Sequence, residues 1–254
     1  MGKLAGKKAL VTAGGQGIGL AITRQLLAEG CDVAVHYFSS AVDTAALRSV
    51  CSRENAKVCG LQADLRQRDQ ASACVEQAVD ALGGLDILIN NAGSLIGRRR
   101  LNELDPDFWQ DSFDLNVSSM NWITQAALPA LREAQDGASI VNLASLAGRK
   151  GGHPGSLAYS TMKGAILTYT RALAQELGPE GIRVNAVAPG LILGTSFHNT
   201  HTTEESARAT IAGIPLGRGG KPEDVARAVC FLASEFDGFI AGATIDINGG
   251  VYAC

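Results

Sequence analysis

The run Lys8-Ala-Leu-Val-Thr-Ala-Gly-Gly-Gln-Gly-Ile-Gly19 joins a short apolar segment to a glycine-rich turn near the start of the chain. The residues from Lys8 to Thr12 have the composition of a buried β-strand, and helical periodicity follows from Ile18 to Gly30. Glycines in such a turn let the backbone approach a phosphate group, and the start of the helix offers free N–H groups. The stretch therefore predicts a strand–turn–helix unit that binds an anion.

The same alternation of strand and helix continues along the 254 residues without a linker or repeat. Further strands are predicted over 31–37, 56–61, 86–89, 139–144, 182–188 and 243–247, and helices over 41–54, 68–82, 106–134, 157–177 and 222–234. Continuous apolar strands with helical crossovers form a parallel sheet that is covered on both faces. We expect a single α/β domain over residues 1–254, a doubly wound Rossmann-type sheet of about seven strands.

Composition and charge exclude several classes of protein. The formal net charge of −3 and the pI near 5.8 argue against a nucleic-acid or membrane-surface binder. The N-terminus lacks the apolar region of a signal peptide, and no apolar run reaches transmembrane length. None of the six cysteines forms a C-x-x-C pair, so we expect a cytoplasmic protein without disulfides. His198 and His201 lie three apart without an evident third ligand, so we expect no metal site.

Tyr159 and Lys163 occupy one face of the predicted helix over 157–177, one turn apart. A free phenol has a pKa of about 10, and an ammonium group beside it favours the phenolate. Such a pair could exchange a proton with a substrate oxygen near neutral pH, or be an ordinary surface pair. Ser145 follows the strand over 139–144, and Asn90-Asn-Ala-Gly93 follows the strand over 86–89. Parallel strands place these polar residues and the glycine-rich turn at one edge of the sheet.

These motifs, in this order, resemble the short-chain dehydrogenase/reductase family, and the resemblance covers essentially the whole chain. It implies a catalytic tetrad of Asn116, Ser145, Tyr159 and Lys163, with hydride passing between a nicotinamide and a carbonyl or carbinol carbon. In that family Tyr159 would transfer the proton, Ser145 would hydrogen-bond the substrate oxygen, and Lys163 would hold the ribose and lower the pKa of Tyr159. Asn116 would kink the long helix and hold a water.

The resemblance also implies an NAD(P)(H) site in the glycine-rich turn, although Ala13 stands where the family has its first glycine. The expected cofactor-binding residues are Thr12, Gly14, Gln16, Gly17, Ile18, Gly19, Tyr37, Ser39, Ser40, Asp64, Leu65, Asn91, Ala92, Gly93, Tyr159, Lys163, Pro189, Gly190 and Ile192. An acid after strand two would bind the ribose hydroxyls of NAD, but Tyr37 stands at that position. With Ser39 and Ser40 as potential phosphate donors, the sequence favours NADP(H) over NAD(H).

The substrate side carries fewer signals. A lid is expected over 191–213, with pocket walls from Ser94, Leu95, Leu146, His153 and Leu191. The successive arginines Arg98 to Arg100 could attract an anionic substrate or carrier, or form a solvated loop or subunit interface. The nearest type is 3-oxoacyl-carrier-protein reductase; a sugar or polyol dehydrogenase and a non-catalytic nucleotide sensor are the alternatives. The resemblance implies a small-molecule substrate and a homo-oligomer, either a tetramer or a dimer.

Overall fold

The computed structural model describes residues 4–195, 203–234 and 238–253. Seven parallel strands form one sheet in the order β3-β2-β1-β4-β5-β6-β7. The reversal of strand order between β1 and β4 is the point at which ligands bind in open α/β sheets. The strands are β1 (Lys8–Val11), β2 (Asp32–Tyr37), β3 (Val58–Gln62), β4 (Ile87–Asn90), β5 (Ala138–Leu143), β6 (Ile182–Pro189) and β7 (Thr244–Ile247).

Helices cover both faces of the sheet, as the apolar strands require. In the described residues they are α1 (Gly17–Ala28), α2 (Thr44–Arg48), α3 (Arg68–Leu82), α4 (Pro106–Phe113), α5 (Ser119–Arg132), α6 (Leu146–Lys150), α7 (Leu157–Leu177), α8 (Glu204–Ala212) and α9 (Pro222–Ser234). One apolar core packs α1 and α9 against one face, and a second packs α3, α5 and α7 against the other. No helix in these ranges combines the length and apolarity needed to cross a bilayer.

The predicted element order is confirmed, and most boundaries differ by one or two residues. The largest difference is the helix expected over 41–54, which extends only from Thr44 to Arg48. Asp43 begins this helix by accepting a hydrogen bond from the Ala46 amide at 2.9 Å. After Arg48 the chain turns, and the Ser52 amide donates to the carbonyl of Leu27 in α1 at 3.2 Å. A tertiary hydrogen bond thus replaces the helical one that periodicity predicted.

The long helix expected over 106–134 is present, but it contains a π-helical segment at Asp114–Ser118 between α4 and α5. Pro106 occupies the first turn, and Asp105 caps it by accepting from the Phe108 amide at 2.8 Å. The π segment inserts Asn116 into the buried side of the helix, where the residue has no exposed surface. Such bulges often occur at functional sites, and the expected bend at Asn116 is found in this form.

Candidate active site

The glycine-rich turn leaves the start of α1 open to an anion. Gln16 precedes the helix without a side-chain cap, and the first turn holds no acidic residue. A β-carbon at Gly19 would lie 2.2 Å from the Ala13 carbonyl oxygen, so only glycine fits there. Gly17 has a φ of +52°, which also favours glycine. Uncapped N–H groups and the positive end of the helix dipole fit the pyrophosphate of a dinucleotide.

Ala13, which replaces the first glycine of the motif, adopts a left-handed conformation with φ of +48°. It is the one non-glycine residue with positive φ among the described residues, and this conformation disfavours alanine by about 1–2 kcal/mol. The Ala13 amide donates to Nδ1 of His36 at 2.9 Å, and Nε2 of His36 lies 3.0 Å from the Ala63 carbonyl oxygen. The sequence did not identify His36, which is 3 % exposed and holds the strained turn in place.

His36 must be neutral to serve both neighbours. Nδ1 accepts the amide proton of Ala13, so the ring proton is on Nε2 and is donated to Ala63. Burial lowers the pKa of His36, which outweighs the opposing effects of the Ala63 carbonyl and the Asp64 carboxylate. The imidazole is therefore held in its neutral form, which hydrogen-bonds both the glycine-rich turn and the segment after β3.

Thr12 and Asn91 join the turn to the end of β4. The Thr12 hydroxyl accepts from the amides of Asn91 and Ala92, both at 2.9 Å. The Asn91 side chain donates to the carbonyls of Thr12 and Ala13 at 3.0 and 3.1 Å. Asn90 instead donates to Thr124 of α5 and Asn142 of β5, and it braces the end of β4 against both elements.

The edge where the adenosine ribose is expected lies at the ends of β2 and β3. The Tyr37 ring lies over Gly60 of β3, where a β-carbon would be 3.4 Å from Cε1 of the tyrosine. Ser39 and Ser40 follow on the exposed surface. Leu65 is 5 % exposed and packs into the core, so only its backbone can face a ligand. Gly14 is also buried, against Thr23 and Val35, and it shapes the turn from beneath.

The structure adds Arg66 and Phe38 to this edge. The Arg66 guanidinium lies 5.7 Å from the centroid of the Phe38 ring. It also binds Asp64, with Nε to Oδ1 at 2.9 Å and Nη2 to Oδ2 at 2.7 Å. Hydrogen bonds from Arg66 lower the pKa of Asp64 and keep it ionised. The sequence analysis overlooked Arg66, although a basic residue two positions after Asp64 was the available signal.

Ser145 and Tyr159 form the candidate reaction centre. Ser145 begins α6, and its hydroxyl accepts from the Ala147 amide at 3.1 Å. A hydrogen bond with Ser145 lowers the pKa of Tyr159, but burial dominates and raises the pKa to about 12. The expected lowering by Lys163 is not found, so the structure differs from the sequence on this point. Tyr159 is therefore protonated at neutral pH.

Lys163 faces the same centre from one turn further along α7. It is 3 % exposed, and burial lowers its pKa to about 8. Its ammonium group lies 5.8 Å from the centroid of the Tyr159 ring and donates to the Leu143 carbonyl at 2.8 Å. Burial and the bond to Leu143 therefore define the surroundings of the ammonium group in this centre.

Asn116 and Gly93 complete the centre. The Asn116 side chain donates to the carbonyls of Ser94 and Ser112, both at 3.0 Å. Its Oδ1 is buried and has no hydrogen-bond partner among the described residues. A β-carbon at Gly93 would lie 2.7 Å from this oxygen and 3.1 Å from the Lys163 ammonium. Three elements, the π segment, the start of α6 and α7, thus bring the expected tetrad together. Beside Lys163 they leave an open acceptor that fits a water or a ribose hydroxyl.

The chain after β6 forms the far wall of the cleft. Gly190 lies against Asn248 and Leu146, while Ile192 is 2 % exposed and forms an isolated bridge with Gly220. Thr195 lies against Gly17, with side-chain atoms 3.5 Å from where a β-carbon would be. This threonine, one position later than the family pattern, therefore faces the cofactor turn. Pro189 ends β6 at the same edge.

The expected substrate residues separate into two groups. Ser94, Leu146 and Leu191 are half-buried and His153 is exposed, as residues of an open cleft can be. Leu95 is 4 % exposed, so its side chain lies in the interior, and its assignment to the pocket wall stays a prediction. Residues 196–202, with His198 and His201, lie outside the described residues. The rest of the lid contains α8, which Thr203 caps.

The Arg98–Arg100 segment pairs with the loop that leads into α7. The Arg99 amide donates to the Gly155 carbonyl at 2.9 Å, and its guanidinium lies 4.9 Å from the centroid of the Phe108 ring. Arg98 and Arg100 are exposed and form no ion pair among the described residues. Arg149 differs, because both its Nε and Nη2 bind Asp246 of β7 at 3.1 Å.

Comparison with known proteins agrees with this geometry. Residues 12–252 match the family model described as enoyl-(acyl carrier protein) reductase. A 3-oxoacyl-[acyl-carrier-protein] reductase of Staphylococcus aureus is 36% identical over 97% of this chain and 98% of its own. An uncharacterised oxidoreductase of Methylorubrum extorquens is 38% identical over 99% of this chain and all of its own.

Two solved structures have the same architecture. A doubly substituted short-chain dehydrogenase/reductase of Serratia marcescens superposes with a TM-score of 0.89 at 34% identity, over 99% of this chain and 100% of that one. An NADH-dependent reductase responsible for alginate metabolism gives a TM-score of 0.89 at 30% identity, over 99% of each chain. The fold is therefore shared along almost the whole length of the chain.

Proposed function

Because the chain belongs to the short-chain dehydrogenase/reductase family and is an NAD(P)-dependent oxidoreductase acting on ketones and secondary alcohols, we propose that it reduces 3-oxoacyl thioesters with NADPH. The contact between Ser145 and a protonated Tyr159 carries this proposal. In the reducing direction this phenol is the group that donates a proton to the ketone oxygen.

The bound nicotinamide supplies the hydride in this chemistry. Tyr159 donates its proton to the carbonyl oxygen of the substrate, and the Ser145 hydroxyl hydrogen-bonds the same oxygen as charge develops there. Lys163 would hold the ribose of the cofactor with its ammonium group. The buried, unpartnered Asn116 Oδ1 near it would accept from a water that returns the proton to Tyr159. Gly93 keeps this space open, since any side chain would collide with both groups.

The preference for NADPH is supported by the absence of an acidic residue from Tyr37 to Ser40, directly after β2. A carboxylate at that position binds the ribose 2′-hydroxyl of NAD and repels a 2′-phosphate. Ser39 and Ser40 are exposed at this edge and can donate hydrogen bonds.

An acyl thioester substrate is supported by Arg98 and Arg100, which lie beside the loop that leads into α7 and form no ion pair within the described part of the chain. Thioester carriers bear phosphate groups, which guanidinium groups bind well. Arg149 does not contribute to this basic surface, since Asp246 binds it. A sugar or polyol substrate is the second candidate, supported by the likeness to the alginate-related reductase. A cytoplasmic location and a homotetramer, or a dimer, stay predictions.

A matched absorbance assay would test the proposal. The protein is mixed with NADPH or NADH and acetoacetyl thioesters, and in parallel with NADP or NAD and a panel of sugars and polyols. We expect NADPH oxidation with the thioester and no reaction with the sugars. Reduction of NAD by a sugar would contradict the proposed substrate, the proposed cofactor and the proposed direction of the reaction.

A further inference from the structure

We infer that Arg66 recognises the 2′-phosphate of NADPH, an inference that rests on the cofactor preference proposed above. Arg66 follows β3 and lies at the carboxyl edge of the sheet, next to the end of β2. In this type of fold the adenosine ribose binds at that edge, and an arginine there accommodates a 2′-phosphate. Neither the glycine-rich turn nor the segment from Tyr37 to Ser40 contains a basic residue.

Asp64 fixes one edge of the Arg66 guanidinium. Nε and Nη2 both donate to the carboxylate, at 2.9 and 2.7 Å. A guanidinium has five N–H groups in a planar fork, so the opposite edge keeps both protons of Nη1 and one of Nη2. No described residue accepts a hydrogen bond from Nη1. This second edge can form two parallel hydrogen bonds with a phosphate.

Phe38 fixes the plane of the same group. Its ring is 57 % exposed directly after β2, and the guanidinium carbon lies 5.7 Å from the ring centroid. Cations are attracted to aromatic faces at this distance. Contacts with Asp64, after β3, and Phe38, after β2, therefore orient Arg66 before any ligand binds. A preoriented group loses less entropy on binding.

The nearby carboxylate positions the arginine without removing its charge. Hydrogen bonds with Asp64 raise the pKa of Arg66, so the guanidinium stays protonated. Asp64 itself accepts three hydrogen bonds from the Arg66 guanidinium and one from the Arg66 amide. We therefore assign Asp64 to positioning Arg66, in addition to the cofactor-binding role that the family resemblance implies.

The test compares the dissociation constants of NADPH and NADH, measured by nucleotide fluorescence without a substrate. The variants are R66Q, R66K and, as the matched charge control, R68Q at the exposed start of α3. We expect R66Q to weaken NADPH binding at least tenfold and to leave NADH binding within twofold. R66K keeps the charge but loses the fork, so we expect a loss of about threefold. R68Q should change neither constant by more than twofold.

Adenosine 2′,5′-bisphosphate and AMP serve as competing probes that isolate this subsite. The loss in R66Q should appear for the bisphosphate and not for AMP. If the native protein prefers NADPH and R66Q keeps that preference, the assignment of Arg66 fails while the proposed preference stands. If the native protein binds NADH as tightly as NADPH, both fail. Equal weakening of NADH and NADPH by R66Q, or an equal effect of R68Q, also overturns the specific role.

Discussion

Replacing His36 by leucine removes the two hydrogen bonds that hold the glycine-rich turn against the segment after β3. The carbonyl of Ala63 would lose a partner in a buried setting, which destabilises by about 1–3 kcal/mol. The Ala13 amide is only partly buried, so water can replace part of its bond and the loss there is about 1 kcal/mol. We therefore expect H36L to lower the free energy of unfolding by about 2–4 kcal/mol.

The same residue makes stability depend on pH in a stated direction. The pKa of His36 is lowered in the fold from an ordinary value of 6.5, so the folded protein binds fewer protons than the unfolded chain. Its contribution is fully present above pH 6.5 and is lost as the pH falls through the lower folded pKa. The difference in the free energy of unfolding between the native and H36L proteins should narrow between pH 6.5 and the lower folded pKa, by up to about 1.4 kcal/mol per pH unit.

Urea unfolding followed by circular dichroism at neutral and mildly acidic pH measures both effects. Protein concentration is held constant, since oligomerisation alters apparent stability. H153L is the control, because His153 is exposed and its side chain has no hydrogen bond among the described residues. NADPH binding should weaken in H36L, because Ala13 is no longer held in its left-handed conformation. A stability change below about 0.5 kcal/mol in H36L would refute the bridging role.

Three further outcomes follow from the site and its supports. Y159F should keep NADPH binding within twofold and lose at least a hundredfold in kcat, consistent with general acid catalysis; near-normal turnover in a ketone reduction assay would contradict its role as proton donor. G93A places a methyl group 2.7 Å from Asn116 Oδ1 at a φ of +147°. We therefore expect fluorescence titration to show at least a tenfold loss in NADPH affinity. Unchanged affinity would show that the ligand does not use this space. R149Q removes both hydrogen bonds to Asp246, and thermal unfolding should show a loss of about 1–3 kcal/mol; an unchanged Tm would mean that the half-buried pair adds nothing to stability.

The sequence determined the fold, the order of its elements and the convergence of the site motifs. Apolar strand runs and helical periodicity are local patterns, and parallel strands bring their carboxyl ends to one edge whatever the side chains do. Tyr159, Lys163 and Ser145 could therefore be placed together before any coordinates were known. The helix over 157–177 has the predicted bounds, because its pattern is long and uninterrupted.

Only the tertiary structure decided the pKa values and the supporting contacts of the site. The pKa of Tyr159 depends on burial by elements distant in sequence, and burial outweighs the hydrogen bond with Ser145. His36 and Arg66 act through partners on other strands, at Ala13 and Phe38, which no local pattern encodes. Local spacing predicts which residues share a face, whereas hydrogen bonding and desolvation depend on the packing of segments far apart in the chain.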